Sequence, residues 1–301
     1  MFKITVCLLT FNSERLLHDV IPPLLKIADE IVVVDSGSTD KTRYICESFG
    51  LLPVYKKFGW HGEQMNYAIS LASHDWVLCI DSDEILDQET VNAVLTLKAG
   101  DEPDPGMAWR ICRHWFVLGE EVRTIYPVSS PDYPVRLFNR KQSRFNNRPV
   151  DDQVEGFLRC ERIPGYVKHD TFPTLHELFN KLNCYTTRLV QHQKIRPSIG
   201  RGVISAIGAF FKWYLFSGAW RKGKVGVATG LYATAYSFLK YFKSWYQYQE
   251  KKSPLLTSRR TLRLRNKRQA FLPHPCHCCW TYFTSVLLLM LSPMTEKKRV
   301  A

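Results

Sequence analysis

With 301 residues, 45% of them hydrophobic and 23% charged, the chain has the length and apolar content of one large globular domain with an appended segment, which excludes an intrinsically disordered protein. Its formal charge of +13 is unevenly spread: residues 1–100 carry 8 Lys/Arg against 14 Asp/Glu, residues 101–170 carry 11 of each, and residues 171–301 carry 22 against 3. An acidic front half tolerant of a metal ion therefore precedes a basic back half suited to an anionic partner, either a phospholipid surface or a nucleic acid.

The chain opens on "ITVCLLT" (4–10), an apolar run that alternates like a strand and ends without a small-residue cleavage site. It reads as a first strand rather than an export signal, so the catalytic half is expected in the cytoplasm. Leu16, Val20, Leu24 and Leu25 follow at helical spacing, then the strand "EIVVVD" (30–35), the helical set Met65, Ile69 and Ala72, and the strand "WVLCI" (76–80). Strands alternating with helices of this length predict βαβ units and a parallel sheet buried on both faces, hence the α/β class. Cys7, Cys46, Cys79, Cys112, Cys160 and Cys184 are scattered, several of them within apolar runs, as free thiols are and a disulfide framework is not.

Ligands of such sheets sit beyond the carboxyl ends of the strands. The first strand ends in Thr10, Phe11 and Asn12, the second in Asp35 followed by "SGSTD", and the later one in Asp81. Asp35 is placed to accept hydrogen bonds from a base or ribose, while Ser38 or Asp40 would cap the next helix. The stretch "WVLCIDSDEILD" then crowds Asp81, Asp83, Glu84 and Asp87, and each close carboxylate pair costs on the order of a kcal/mol, so compensation is expected. An Asp-x-Asp at a strand end can bind Mg²⁺ or Mn²⁺, leaving positions for diphosphate oxygens, and the cation would relieve that repulsion.

Residues 106–140, with "MAWRICRHWFVLG" and "PDYPVRLFNR", predict a smaller β-rich layer over the rim of the sheet. Leu175, Leu178, Phe179, Leu182, Leu189 and Val190 predict a helix over 174–193. Residues 201–250 hold 14 aromatic residues and 7 Lys/Arg with a single acid, Glu250. The stripe Leu231, Ala235, Phe238, Phe242 and Trp245, edged by Lys240 and Lys243, predicts an amphipathic helix in a membrane interface, with packing on the domain as the alternative. Beyond residue 252, "SRRTLRLRNKR" and the uncharged run 276–292 predict a poorly ordered extension.

In order and spacing, "TFN", "VVVDSGSTDKT", "GEQMNYAI" and "DSD" resemble the family 2 glycosyltransferases, inverting nucleotide-sugar enzymes of the GT-A fold, over roughly residues 1–250. The stretch "WHGEQMNYAISLASHDWVLCIDSDE", "PDYPVRLFNR" and the aromatic-basic segment narrow the resemblance to the branch of bacterial lipopolysaccharide core transferases that adds β-1,4-glucose to inner-core heptose. The resemblance implies a nucleotide-sugar-binding half (1–100), an acceptor-binding half (101–195), membrane-associating helices (196–252) and a tail (253–301). It implies a UDP-sugar donor, with Thr10, Asn12, Glu14 and Asp35 around the uridine, Gln64 and Asn66 near the diphosphate-sugar, and Asp81 and Asp83 on the metal.

Inversion needs one acceptor-side carboxylate as general base. Relatives in this branch carry a His-Glu pair where this chain has Asp151 and Asp152, and register favours Asp152, with Asp151 the second choice. Arg136 could orient the acceptor and Trp115 could stack on a sugar. The enzyme so implied is peripheral at the cytoplasmic face of the bacterial inner membrane, with a lipid-linked saccharide as acceptor and an anionic membrane surface beside it. A polyprenyl-phosphate acceptor is the rival within the fold. A nucleic-acid-binding protein is the rival outside it, but that leaves the acidic half unexplained, and no nucleic-acid partner is expected.

Overall fold

Seven strands build the central sheet, and the first of them shows why the sheet is covered on both sides. In the computed structural model, which describes residues 2–149 and 152–252, β1 (Ile4–Thr10) is buried along its whole length. Ile4, Val6 and Leu8 face a cluster that includes Leu17, Ile21 and Leu24 of α1 (Leu17–Ile27), whereas Cys7 and Leu9 face another that includes Met65, Ala68 and Ile69. Full burial of each such Leu or Ile contributes about 1.5–3 kcal/mol, which offsets the amide donors that Pro22 and Pro23 remove from α1.

The chain continues through β2 (Glu30–Asp35), α2 (Thr42–Ser48), β3 (Val54–Tyr55), α3 (His61–Leu71), β4 (Trp76–Asp81), β5 (Glu84–Leu86) and α4 (Gln88–Ala99). β1 pairs in parallel with both β2 and β4, with Thr10 opposite Asp35 and Leu9 opposite Asp81, so three polar strand ends share one rim. Asp87 starts α4 by accepting a hydrogen bond from the Thr90 amide at 2.8 Å.

The second half adds β6 (Met107–Arg110), β7 (Arg113–Val117), β8 (Glu120–Glu121), β9 (Thr124–Ile125), β10 (Val128–Ser129), β11 (Val135–Asn139), β12 (Arg144–Phe145), β13 (Val154–Glu155), β14 (Arg159–Arg162) and β15 (Val167–Phe172). The order β14-β6-β11-β4-β1-β2-β3, with β11 antiparallel to β4 and β6 and every other neighbouring pair parallel, gives a mostly parallel α/β sheet. The separate β layer anticipated for 106–140 is only half present: β6 and β11 extend the main sheet, and the layer at its rim is the sheet β5-β15-β7-β8.

Helices close the described chain: α5 (Leu175–His192), α6 (Ile199–Phe210), a π-helical turn Phe211–Phe216, a 3₁₀ turn Ala219–Lys222 and α7 (Gly223–Lys252). Leu178, Leu182 and Leu189 of α5 pack with Val225, Tyr232 and Tyr236 of α7 and with Phe172. The stripe anticipated for the last helix is mostly engaged: Phe238 is half-buried, and Gly202 of α6 packs so closely that an added Cβ would lie 3.3 Å from Phe238 and Tyr241. Among the described residues no single helix is long and apolar enough to cross a membrane, although the bent pair Ile199–Phe216 and Ala219–Lys251 would suffice together by length and composition. The expectations for Asp151 and for 253–301 lie outside the described residues.

Candidate active site

The rim formed by β1 and β2 is a closed hydrogen-bonded loop. Asp35 accepts from the Thr10 hydroxyl (2.9 Å), from the Gly37 and Ser38 amides (2.9 and 2.8 Å) and from the Ser38 hydroxyl, so its carboxylate is fixed by the turn it begins. Asn12, at φ 48°, accepts from the Thr39 amide (2.9 Å), and Glu14 from the Lys41 amide (2.9 Å). Asp40 accepts from the Thr42 amide at 3.0 Å, at the start of α2. Thr10, Asn12, Glu14 and Asp35 therefore form one pre-organised corner.

At the end of β4 the crowded carboxylates each have a cationic or amide partner. Asp81 accepts from His61 Nε2 (2.9 Å) through one oxygen and from Arg136 (2.8 Å) through the other. Glu84, fully buried, is held by Arg136 and by Arg113 (2.8 Å). Asp83 meets His169 Nε2 at 3.2 Å, because β15 pairs antiparallel to β5 with His169 opposite Glu84. The repulsion that a metal was expected to relieve is thus already balanced by side chains. Burial works to raise the Asp81 and Asp83 carboxyls, but His61 and Arg136 at Asp81, and His169 at Asp83, overcome it and hold both well below the usual carboxylate range.

His61, the first residue of α3, bridges two acids. Its Nδ1 donates to Asp152 at 2.8 Å while Nε2 donates to Asp81. Burial opposes the charged ring, yet Asp81 and Asp152 prevail and push its pKa up to about 10, so the ring is an imidazolium at neutral pH. Gly62 lets α3 approach the Asp152 loop: an added Cβ would stand 2.7 Å from the Asn146 carbonyl and 3.3 Å from the Asp152 Cβ.

The remaining expected residues occupy supporting positions. The Asn66 amide donates to the Phe145 carbonyl (2.8 Å) and accepts from its amide (3.0 Å), clamping β12 to α3 rather than reaching outward. Gln64 is fully buried and donates to Ser36 and to the Lys56 carbonyl, with its Oε1 unpartnered. Arg136, expected on the acceptor, is 3% exposed and lies under Asp81 and Glu84. Trp115 donates to Asp132 at 2.8 Å and its ring meets His169 edge-on at 4.1 Å.

Residues 5–152 match the model of Glycosyl transferase family 2. Over these residues the chain belongs to glycosyltransferase family 2. Its relatives include an uncharacterised glycosyltransferase of Rickettsia typhi, 27% identical over 197 residues, 62% of this chain and 66% of the relative. The lipopolysaccharide core biosynthesis glycosyltransferase LpsC of Rhizobium meliloti is 27% identical over 265 residues, 83% of this chain and 93% of LpsC. The poly(ribitol-phosphate) β-N-acetylglucosaminyltransferase TarS of Staphylococcus aureus is 31% identical over 102 residues, 30% of this chain and 18% of TarS. The crystal structure of TarS 1-349 in complex with UDP superposes at TM-score 0.39, with 15% identity over 83% of this chain and 92% of that one.

Three partners in this site are not singled out by the sequence: His61, His169 and Arg113. The signal for His61 was its place at the start of the helix that carries Gln64 and Asn66. His169 and Arg113 carried no local signal, since their strands meet Asp83 and Glu84 only through long-range pairing. Two carboxylates one residue apart are a hard-oxygen donor set that fits a divalent cation whose other ligands come from phosphate and water. Among the described residues no cluster of three or more His, Cys, Asp or Glu forms a protein-only metal cage.

Proposed function

We propose that this glycosyltransferase moves a sugar, glucose by the sequence resemblance, from a UDP-sugar to a heptose of a lipopolysaccharide inner core, inverting the anomeric carbon in a single displacement. The observation that supports the reading is the bridge Asp81–His61–Asp152, in which the candidate base lies one imidazole away from the strand-end carboxylate. The 83% coverage by a relative named for lipopolysaccharide core biosynthesis supports the acceptor class.

In this reading the corner of Thr10, Asn12, Glu14 and Asp35 receives the nucleoside, and Asp81 and Asp83 would hold Mg²⁺ or Mn²⁺. When bound, that ion would offset negative charge on the departing diphosphate. Asp152, steadied through one oxygen by His61, accepts the acceptor hydroxyl proton as the new glycosidic bond forms and the bond to the diphosphate breaks. Arg136 acts from beneath as a positioning residue for Asp81. The enzyme works as a peripheral protein at the cytoplasmic face of a bacterial inner membrane, where such an acceptor is lipid-linked.

A second reading, another cell-envelope glycan or a polyprenyl phosphate as acceptor, is favoured by the similarity to TarS and by the basic C-terminal helices. A screen of UDP-sugars against truncated lipopolysaccharide and polyprenyl phosphate separates the two. Transfer from UDP-glucose to a heptose-ended acceptor is expected, and Asp152→Asn should slow it by about 10²–10⁴-fold. Turnover by that variant at the normal rate would remove the base assignment, and no turnover with any UDP-sugar would remove the donor.

A further inference from the structure

Between residues 178 and 249 the chain has eleven Lys/Arg and no Asp/Glu. Four of these cations, Lys194, Arg196, Arg201 and Lys240, line one cavity of about 220 Å³ between the end of α5, the start of α6 and the middle of α7, together with Tyr241. Among the described residues, Lys194, Arg196 and Arg201 pair with no carboxylate, and Lys240 donates only to the Tyr126 hydroxyl, at 3.3 Å. Cations so gathered repel one another until an anion enters, and the planar guanidinium fork suits phosphate oxygens.

The helix that supplies Arg201 also has a bare apolar side. Gly202 and Ala209, two turns apart, are buried against the neighbouring helices, whereas Val203, Ile204, Ile207 and Phe210 are 44%, 73%, 54% and 40% exposed. Just beyond, Phe216 is 83% exposed and Trp220 50%. An apolar face bordering a cationic cavity is complementary to a ligand that joins a phosphate to acyl chains.

We propose that the cavity binds the phosphate of an anionic phospholipid headgroup while the outer face of α6 enters the acyl boundary, so that the enzyme docks on the bilayer through a specific lipid site. The proposal rests on the membrane-surface reading above and gives it residues. A general basic patch would need no cavity and no apolar rim.

The test is flotation of the full chain with vesicles of phosphatidylcholine alone or mixed with phosphatidylglycerol, at fixed salt, with UDP-sugar hydrolysis measured in parallel. Binding to the anionic vesicles is expected, weakened roughly 30-fold in Arg196→Ala/Arg201→Ala and similarly in Ile204→Ser/Ile207→Ser, with hydrolysis unchanged in both. Equal flotation of the Arg196→Ala/Arg201→Ala variant and wild type would overturn the proposal. So would full release by 10 mM inorganic phosphate, on the order of one hundred times a weak site's need, since the cavity would then serve a soluble phosphate. Wild type that floats but hydrolyses no UDP-sugar would instead sink the proposed donor and leave the lipid site standing.

Discussion

His61 touches both carboxylates on which the proposed transfer depends, which makes it the most informative side chain to change. As a positioning residue it orients Asp152 and Asp81 together, so His61→Ala should lower kcat by about 10–100-fold and raise the donor KM as well. Asp152→Asn removes the proton acceptor itself and should cost about 10²–10⁴ in kcat. Steady-state kinetics with both variants tests the order: a larger loss at His61 than at Asp152 would contradict the assigned roles. Arg136 is different in kind, because its buried guanidinium is shared by Asp81 and Glu84. Arg136→Met leaves Glu84, fully buried, with Arg113 as its one cation beside the Asp81 amide and should destabilise the fold by about 3–5 kcal/mol, read as a shift in the urea midpoint. The sequence made Asp81 and Asp83 legible because they end an apolar strand. The burial of Arg136 carried no local signal, since β11 lies inside the sheet with Arg136, Leu137, Phe138 and Asn139 all buried.

At the scale of elements, the site depends on how α3 is joined to the hairpin β12–β13. Asn66 imitates a strand partner by taking both the amide and the carbonyl of Phe145. Asn66→Asp keeps the acceptor but loses the donor, and Asn66→Leu loses both, so stability should fall by about 1–3 kcal/mol and activity more in the Leu variant than in the Asp variant. Gly62→Ala attacks the same junction sterically: with the Asn146 carbonyl 2.7 Å from the new Cβ, the loop bearing Asp152 must move away. Its signature should be a fall in kcat larger than the stability loss explains; a fully active Gly62→Ala enzyme would show that the close approach is dispensable. Such junctions are absent from local pattern. β1, β2 and β4 were readable as apolar runs because strands buried on both faces need no partner to reveal them. β6, β11 and β14 were not, since their place in the main sheet comes from pairings such as Arg159 with Met107, fifty-two residues apart.

For the whole molecule, the acidic front half responds to pH through carboxylates whose pKa the fold lowers. Asp29 shows the sign of the effect. Burial works to raise its carboxyl, but the Lys98 ammonium at 2.6 Å and the Ile4 amide at 2.8 Å outweigh burial and hold it below the ordinary 3.8. A carboxylate lowered in the fold contributes stability that is present above its unfolded value and is lost as pH falls through the folded one. Lys98 is itself buried and also donates to the Ile27 carbonyl at 2.7 Å, so the charge of Asp29 compensates an ammonium that ties α4 to the end of α1. Asp29→Asn should therefore be less stable than wild type at pH 7, and the gap should shrink as the pH is lowered past 3.8. Glu30, held down by Thr5 and Ser73 against burial, should make the wild-type curve fall further over the same range. Urea midpoints of both proteins between pH 7 and pH 3 measure this, and a gap that stays constant with pH would mean that Asp29 contributes by hydrogen bonding alone, without its charge.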